Sequence, residues 1–218
     1  LLRFLGYHRN YLTQAVLRLT GGNDIAWHDF NFSKLIDASS DDKELIGLEF
    51  LADENIQADW SHYWPSTGNA QNWDAVGKIY YKGKREWLLV EAKANLGEVK
   101  SECGAKNPES INLINSALKK TMKVCGVNAS YLDRWLSPYY QYSNRLAVLN
   151  FLLFECEPSI PAHLLYIYFL GDTRDDITEC PQTEEDWIPL IKQMNDWLGL
   201  SPDHEFSSRI HHLFLSVK

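Results

Sequence analysis

Apolar and polar residues alternate along two neighbouring segments of the chain, which predicts a β-hairpin. In residues 87–94 the two-residue period of a strand places Leu88, Val90, Ala92 and Ala94 on one face and Trp87, Leu89, Glu91 and Lys93 on the other. Residues 73–81 alternate in the same way and group Asp74, Val76, Lys78 and Tyr80. Gly83 lies in the polar stretch between the two segments and predicts the turn. The hairpin should therefore bring Asp74 close to Glu91 and Lys93.

The second segment is apolar enough to predict an interior strand, so its charged residues need partners. Burying a carboxylate and an ammonium group without compensation costs several kcal/mol. A structural ion pair between Glu91 and Lys93, or between either residue and a neighbour, would meet that need. Asp74 adds a second carboxylate, and two carboxylates near one lysine also suit a hard, oxygen-ligated cation such as Mg²⁺.

Helical spacing upstream offers a third acid. Asp41 or Asp42 is a plausible N-cap for a helix over residues 43–52. At about 100° per residue, Glu49 projects between Leu45 and Ile46 in an apolar stripe, so Glu49 is the candidate helical carboxylate. Glu44 and Glu54 are the alternatives at the ends of the helix.

A second helix is predicted downstream, from Trp135 to Leu152, with Pro138 in its first turn. Gln141 and Arg145 share one stripe with apolar residues of this helix. Their side chains could cap the helix end or lie beside the charged strand, where a guanidinium suits bidentate contact with a phosphate.

The remaining periodicity predicts a mixed α/β sandwich in one domain, residues 1–218, with its core at about 43–170. An amphipathic helix is expected within residues 1–20, and a C-terminal helix and strand extend the core. The predicted elements outside the hairpin are helices at 111–124 and 184–198 and strands at 163–170 and 210–217.

Asp74, Glu91-x-Lys93, an upstream acidic helix and Gln141 together resemble the PD-(D/E)xK nuclease superfamily, also called restriction-endonuclease-like. The resemblance covers about residues 43–152, although Trp73 stands where the motif's name has proline. It implies a three-layer sandwich in which a central mixed sheet is flanked by helices. It also implies that Asp74, Glu91, Glu49 and the backbone carbonyl of Ala92 hold Mg²⁺ or Mn²⁺. Lys93 would then orient or activate the attacking water, and Gln141 would complete the catalytic group.

The charge distribution limits the kind of molecule that the protein can bind. The net charge of −8 and the pI near 5.3 exclude a generic polyanion binder. Residues 78–123, however, hold ten basic side chains against five acidic ones, so positive charge concentrates around the predicted site. We expect nucleic acid as the partner, DNA more than RNA, with Lys78 and Arg145 as substrate-binding residues.

The sequence also predicts where the protein is located and what it does. No apolar run approaches the roughly 18 residues that cross a bilayer, and four scattered cysteines predict reduced thiols in a cytoplasmic protein without membrane contact. The leading hypothesis is a metal-dependent hydrolase that cuts phosphodiester bonds. One alternative is a catalytically silent, nuclease-like scaffold that binds nucleic acid or a protein. Another is an interaction domain in which Asp74, Glu91 and Lys93 form a structural charge network.

Overall fold

A computed structural model describes residues 1–28, 45–65, 71–173 and 180–217. The strands are β1 (Asp24–Trp27), β2 (Leu45–Ile46), β3 (Asn72–Trp73), β4 (Ala75–Tyr81), β5 (Lys84–Lys93), β6 (Ala162–Leu170) and β7 (Ile210–Ser216). The α-helices are α1 (Leu2–Tyr7), α2 (Arg9–Thr20), α3 (Glu54–Tyr63), α4 (Pro108–Val124), α5 (Leu132–Leu136), α6 (Tyr140–Asn150) and α7 (Glu184–Leu198).

The central sheet has five strands in the order β1-β4-β5-β6-β7. The pairs β1–β4 and β4–β5 are antiparallel, whereas β5–β6 and β6–β7 are parallel, so the sheet is mixed. The connection from β5 to its parallel neighbour β6 carries α4, α5 and α6. The short strands β2 and β3 form a separate antiparallel pair.

The hairpin of β4 and β5 has the predicted turn. Tyr81 pairs with Lys84, and the two residues between them, Lys82 and Gly83, have φ of 46° and 83°. A two-residue loop with positive φ at both positions matches the right-handed twist of the flanking strands, which explains the glycine. The predicted hairpin is confirmed.

Helices cover both faces of the sheet. On one face, Leu88 and Val90 pack in a buried cluster with residues of α1 and α2, such as Leu12. On the other face, Leu89 belongs to a larger cluster with residues of α3 to α7, such as Leu146. The predicted mixed α/β class and the alternation along β5 are therefore confirmed, and the layers are compatible with a three-layer sandwich.

The helix predicted over residues 43–52 is wrong where the structure describes it. Residues 45–46 form β2, and Glu49–Leu51 is only a 3₁₀ turn. Gly47, with φ of 53°, breaks the helical path between them, because the left-handed region does not continue a right-handed helix. The α-helix begins later, at Glu54, where the Asp53 side chain accepts from the N–H groups of Asn55 and Ile56.

The helix predicted from Trp135 to Leu152 is divided. Ser137 is extended, with φ of −165° and ψ of 145°, because the residue before proline is pushed out of the helical region. Thus α5 ends at Leu136 and α6 begins at Tyr140. Within the described parts of the chain, no helix is both long enough and apolar enough to cross a membrane.

Candidate functional site

A cavity of about 960 Å³ opens where β5 ends, next to the first turns of α4 and α6. Its wall contains four of the predicted site residues, Asp74, Glu91, Gln141 and Arg145, whereas Lys93 is not one of the lining residues. Polar groups converging on a cavity are typical of a binding or active site.

Asp74 lies at a bend between β3 and β4 and is held against β5. Its backbone N–H donates to the carbonyl of Val90 at 3.1 Å. Its carboxylate Oδ2 accepts from the backbone N–H of Ala92 at 2.7 Å. Asp74 is therefore fixed beside the Glu91-Ala92 peptide, as the alternation of the two strands predicts.

Lys93 and Gln141 both bind the carboxylate of Glu91. Lys93 Nζ donates to Glu91 Oε1 at 2.7 Å and to Gln141 Oε1 at 2.6 Å. Gln141 Nε2 donates to the same Glu91 oxygen at 2.9 Å. These three side chains form a closed triangle of hydrogen bonds, although Gln141 is 50 positions from Glu91 in the chain.

Arg145 occupies the other oxygen of Glu91. Its Nε and Nη2 donate to Glu91 Oε2 at 3.0 and 2.7 Å. Further bonds run from its guanidinium to the Asn72 carbonyl and to the Asn144 side chain, and the guanidinium lies 4.7 Å from the ring centroid of Trp73. Arg145 is only 3% exposed, so its donors are directed inward in this structure. The predicted phosphate contact of Arg145 stays a prediction.

The site contains oxygen atoms of the kind that Mg²⁺ binds. The carboxylates of Asp74 and Glu91 supply hard oxygen atoms, and the Ala92 carbonyl faces the same side of β5 as the Ala92 N–H that binds Asp74. Glu91, however, already accepts four hydrogen bonds, which uses all its lone-pair positions. The oxygen donors suit the ion, but a cation on Glu91 must replace at least one N–H donor. Among the described residues, no group of three or more His, Cys, Asp or Glu side chains could hold a metal.

The first turn of α6 is tied to the segment after β5, and this fixes Gln141. The hydroxyl of Ser101 accepts from the Gln141 N–H at 2.7 Å. The Ser101 N–H donates to Pro138, and the Tyr140 N–H donates to the Ser101 carbonyl. Ser101 was not predicted from the sequence, since an isolated serine outside any periodic segment gives no signal.

Two predicted residues lie elsewhere. Glu49 is exposed on its 3₁₀ turn, and neither it nor the alternative Glu54 belongs to the cavity wall. Lys78 is exposed on β4, where its ammonium lies 4.4 Å from the ring centroid of Trp87. Lys78 is four positions along the extended chain from Asp74, a distance of about 13 Å. The other alternative, Glu44, falls outside the described residues.

Two tyrosines lie on the strand next to Glu91 and Lys93. Tyr166 and Tyr168 on β6 pair in register with Glu91 and Lys93. Burial, followed by their neighbours Tyr142 and Glu91, raises the pKa of both phenols well above the usual value. Both tyrosines therefore remain neutral at physiological pH and add no charge to the site.

Comparison of the chain with protein-family models, with curated proteins and with solved structures gives no match. What can be said of its function therefore rests on the residues and the geometry described above.

Proposed function

We propose that this protein is a metal-dependent nuclease of the PD-(D/E)xK type with a restriction-endonuclease-like fold, and that DNA is its substrate. The observation that carries the proposal is the hydrogen-bonded group of Glu91, Lys93 and Gln141, of which Glu91 and Gln141 line the same cavity as Asp74. The mixed sheet with helices on both faces supports the same assignment.

Each residue has a defined task in this proposal. Asp74, Glu91 and the Ala92 carbonyl would hold Mg²⁺ or Mn²⁺, which lowers the pKa of a bound water and polarises the phosphate. Lys93 has three N–H donors, of which Glu91 and Gln141 accept two. The third can bind the attacking water or a phosphate oxygen and stabilise the charge that develops there. Gln141 keeps the ammonium in place for that contact.

Cations suited to the phosphate backbone are present on the same cavity. Lys100 and Lys106 line it and are exposed. The beginning of α4, a 17-residue helix, also borders the cavity, and the N-terminus of a helix favours anions. These groups support a polyanionic substrate, although the same wall also carries the carboxylates of Asp74, Glu91, Glu98 and Glu102.

The test is cleavage of labelled single- and double-stranded oligonucleotides by the purified full chain with Mg²⁺, Mn²⁺ or EDTA. We expect cleavage only with the divalent ion. Asp74→Asn and Lys93→Met should each reduce it at least about 100-fold, because each removes a group from the reacting centre. Lys192→Met, which removes an exposed lysine on α7, is the matched control and should cleave like the parent. Equal cleavage by Lys93→Met and the parent would contradict the proposal.

A second candidate is a nuclease-like scaffold that binds nucleic acid without cutting it. The full occupation of Glu91 by Lys93, Gln141 and Arg145 favours this candidate, since it leaves no free oxygen for a cation. Binding of the same oligonucleotides with unchanged affinity in EDTA, and no cleavage with any divalent ion, would identify the scaffold.

A further inference from the structure

Gln71 is a buried amide without a hydrogen-bond partner in the wall of the cavity. Its residue is 3% exposed, and neither its Nε2 nor its Oε1 has a partner among the residues that the structure describes. Its backbone is fixed, since its carbonyl accepts from Gly47 N–H at 2.6 Å in continuation of the β2–β3 pair. The side-chain amide, by contrast, is left without a partner in the described part of the chain.

Such an amide is costly to the fold. Buried polar groups are almost always hydrogen-bonded, and an apolar side chain of the same size would avoid the penalty at this position. The glutamine therefore adds nothing to the stability of the fold at this position. A ligand with complementary hydrogen-bonding groups would provide the donor and acceptor that the protein lacks.

The surroundings indicate the kind of ligand. An amide presents a donor next to an acceptor, which is the pattern that matches a base edge, as in glutamine contacts with adenine. Trp64 and Pro65 form an apolar part of the same wall, while Lys100 and Lys106 supply charge for phosphates. Gln71 precedes Asp74 by three residues, about 10 Å of extended chain, which corresponds to about three stacked nucleotides.

We infer that Gln71 recognises a nucleobase of the substrate, by turning its amide into the cavity and pairing with the edge of a base about three nucleotides from the cleaved phosphate. This inference rests on the proposed nuclease function and adds a base-recognition subsite to it. The contact selects among nucleotides and takes no part in the chemical step.

The experiment compares Gln71→Leu with the parent in three measurements. Binding of fluorescein-labelled oligonucleotides is measured by anisotropy in EDTA, and unfolding by urea titration. Hydrolysis with Mn²⁺ is measured on the same oligonucleotides and on bis(p-nitrophenyl) phosphate, a phosphodiester without a base. We expect oligonucleotide binding to weaken about tenfold and the urea midpoint to stay or rise, while hydrolysis of the small diester is retained.

The control is Asn195→Leu, because Asn195 on α7 also has a buried carbonyl oxygen without a partner but does not line the cavity. It should leave oligonucleotide binding unchanged. Gln71→Met serves as the second variant if Gln71→Leu does not fold. A Gln71 variant that is stable and binds oligonucleotides as tightly as the parent would overturn the inference. If the parent hydrolyses neither substrate, the nuclease proposal fails, and the anisotropy comparison still decides the role of Gln71.

Discussion

Arg145 and Glu91 are joined by two hydrogen bonds, although 54 positions separate them in the chain. Both side chains are nearly closed to water, with exposures of 4% and 6%. With Asp74 and Lys93 included, two carboxylates face two cations, so the formal charges of the site cancel before any ligand arrives. Because of that balance, the site needs no metal to neutralise its charge, and a metal ion that binds there adds net positive charge.

Loss of Arg145 should destabilise the protein strongly. Arg145→Met removes the partner from a buried carboxylate, a change that costs about 3–5 kcal/mol in free energy of unfolding. Lys192→Met breaks an exposed pair with Asp196 and should cost less than about 1 kcal/mol. Urea titration of both variants measures the difference. Equal costs for the two variants would show that the Arg145 pair behaves like a surface pair.

Removal of Lys93 should strengthen metal binding while it abolishes turnover. Lys93→Met takes one positive charge away from Glu91 and frees one acceptor position on Glu91 Oε1. We expect the dissociation constant for Mn²⁺ in the absence of nucleic acid to fall about tenfold, as measured by isothermal titration calorimetry. Asp74→Asn should move the constant in the opposite direction. A weaker metal complex in Lys93→Met would mean that Glu91 is not a metal ligand.

Ser101 should act on turnover through Gln141. Ser101→Ala removes the acceptor of the Gln141 N–H and should lower kcat about three- to tenfold with little change in KM, because Gln141 is then less well placed at Lys93. Ser101→Thr keeps a hydroxyl and should restore most of the rate. Ser110→Ala alters another cavity serine and provides the control. A change in KM alone would point to substrate contact by Ser101 instead.

The basic stretch of residues 78–123 is divided in the structure, and its two parts should differ in salt dependence. Lys82 and Lys84 lie at the hairpin tip. The opposite end of β4, which approaches the site, is six steps along the strand from Tyr81, or about 20 Å away. Lys100 and Lys106 line the cavity. Neutralising the second pair should weaken oligonucleotide binding and flatten its dependence on salt, because fewer counterions are released. Neutralising the first pair should leave the slope unchanged, and a flatter slope there would move the binding surface to the hairpin tip.

Stability should fall in acid, and His212 should contribute to the loss together with His211, whose pKa is also lowered to about 4 by burial. Burial lowers the pKa of His212 from 6.5 to about 4. Between these values the unfolded chain binds a proton that the folded protein does not, so this contribution is intact above pH 6.5 and is lost as the pH falls toward 4. His212→Phe preserves an aromatic ring beside Tyr166 and Tyr168. It should reduce the acid sensitivity by an amount on the order of 2–3 kcal/mol at pH 4. Thermal unfolding from pH 7 to pH 4 checks this, with His62→Gln, an exposed histidine, as the control.

Local periodicity was sufficient to predict the hairpin, the faces of β5 and the common direction of Glu91 and Lys93. These features depend on a two-residue period and a short turn, which a single segment encodes. Gln141 was predicted from its position on a helix stripe, and its contact with Lys93 is consistent with that stripe.

Long-range geometry could not be predicted in the same way. The inward pairing of Arg145 depends on contacts across 54 and 73 positions, which helix spacing does not contain. Glu49 was assigned to a helix because its neighbours have helical spacing, but Gly47 and the pairing of Ile46 with Asn72 determine the actual path. The burial of Gln71 and its lack of a partner likewise depend on how distant segments pack around the cavity, so they could not be predicted from the sequence.

The bridge between Ser101 and Tyr139 joins the end of the hairpin region to the start of α6. Lys93 on the hairpin gives Glu91 one donor, and the remaining donors come only from Gln141 and Arg145 of α6, whose first turn in turn depends on Ser101 in the segment following β5. We therefore expect these two parts to unfold together. In native-state hydrogen exchange, the amides of β5 and α6 should therefore open together and with the same free energy.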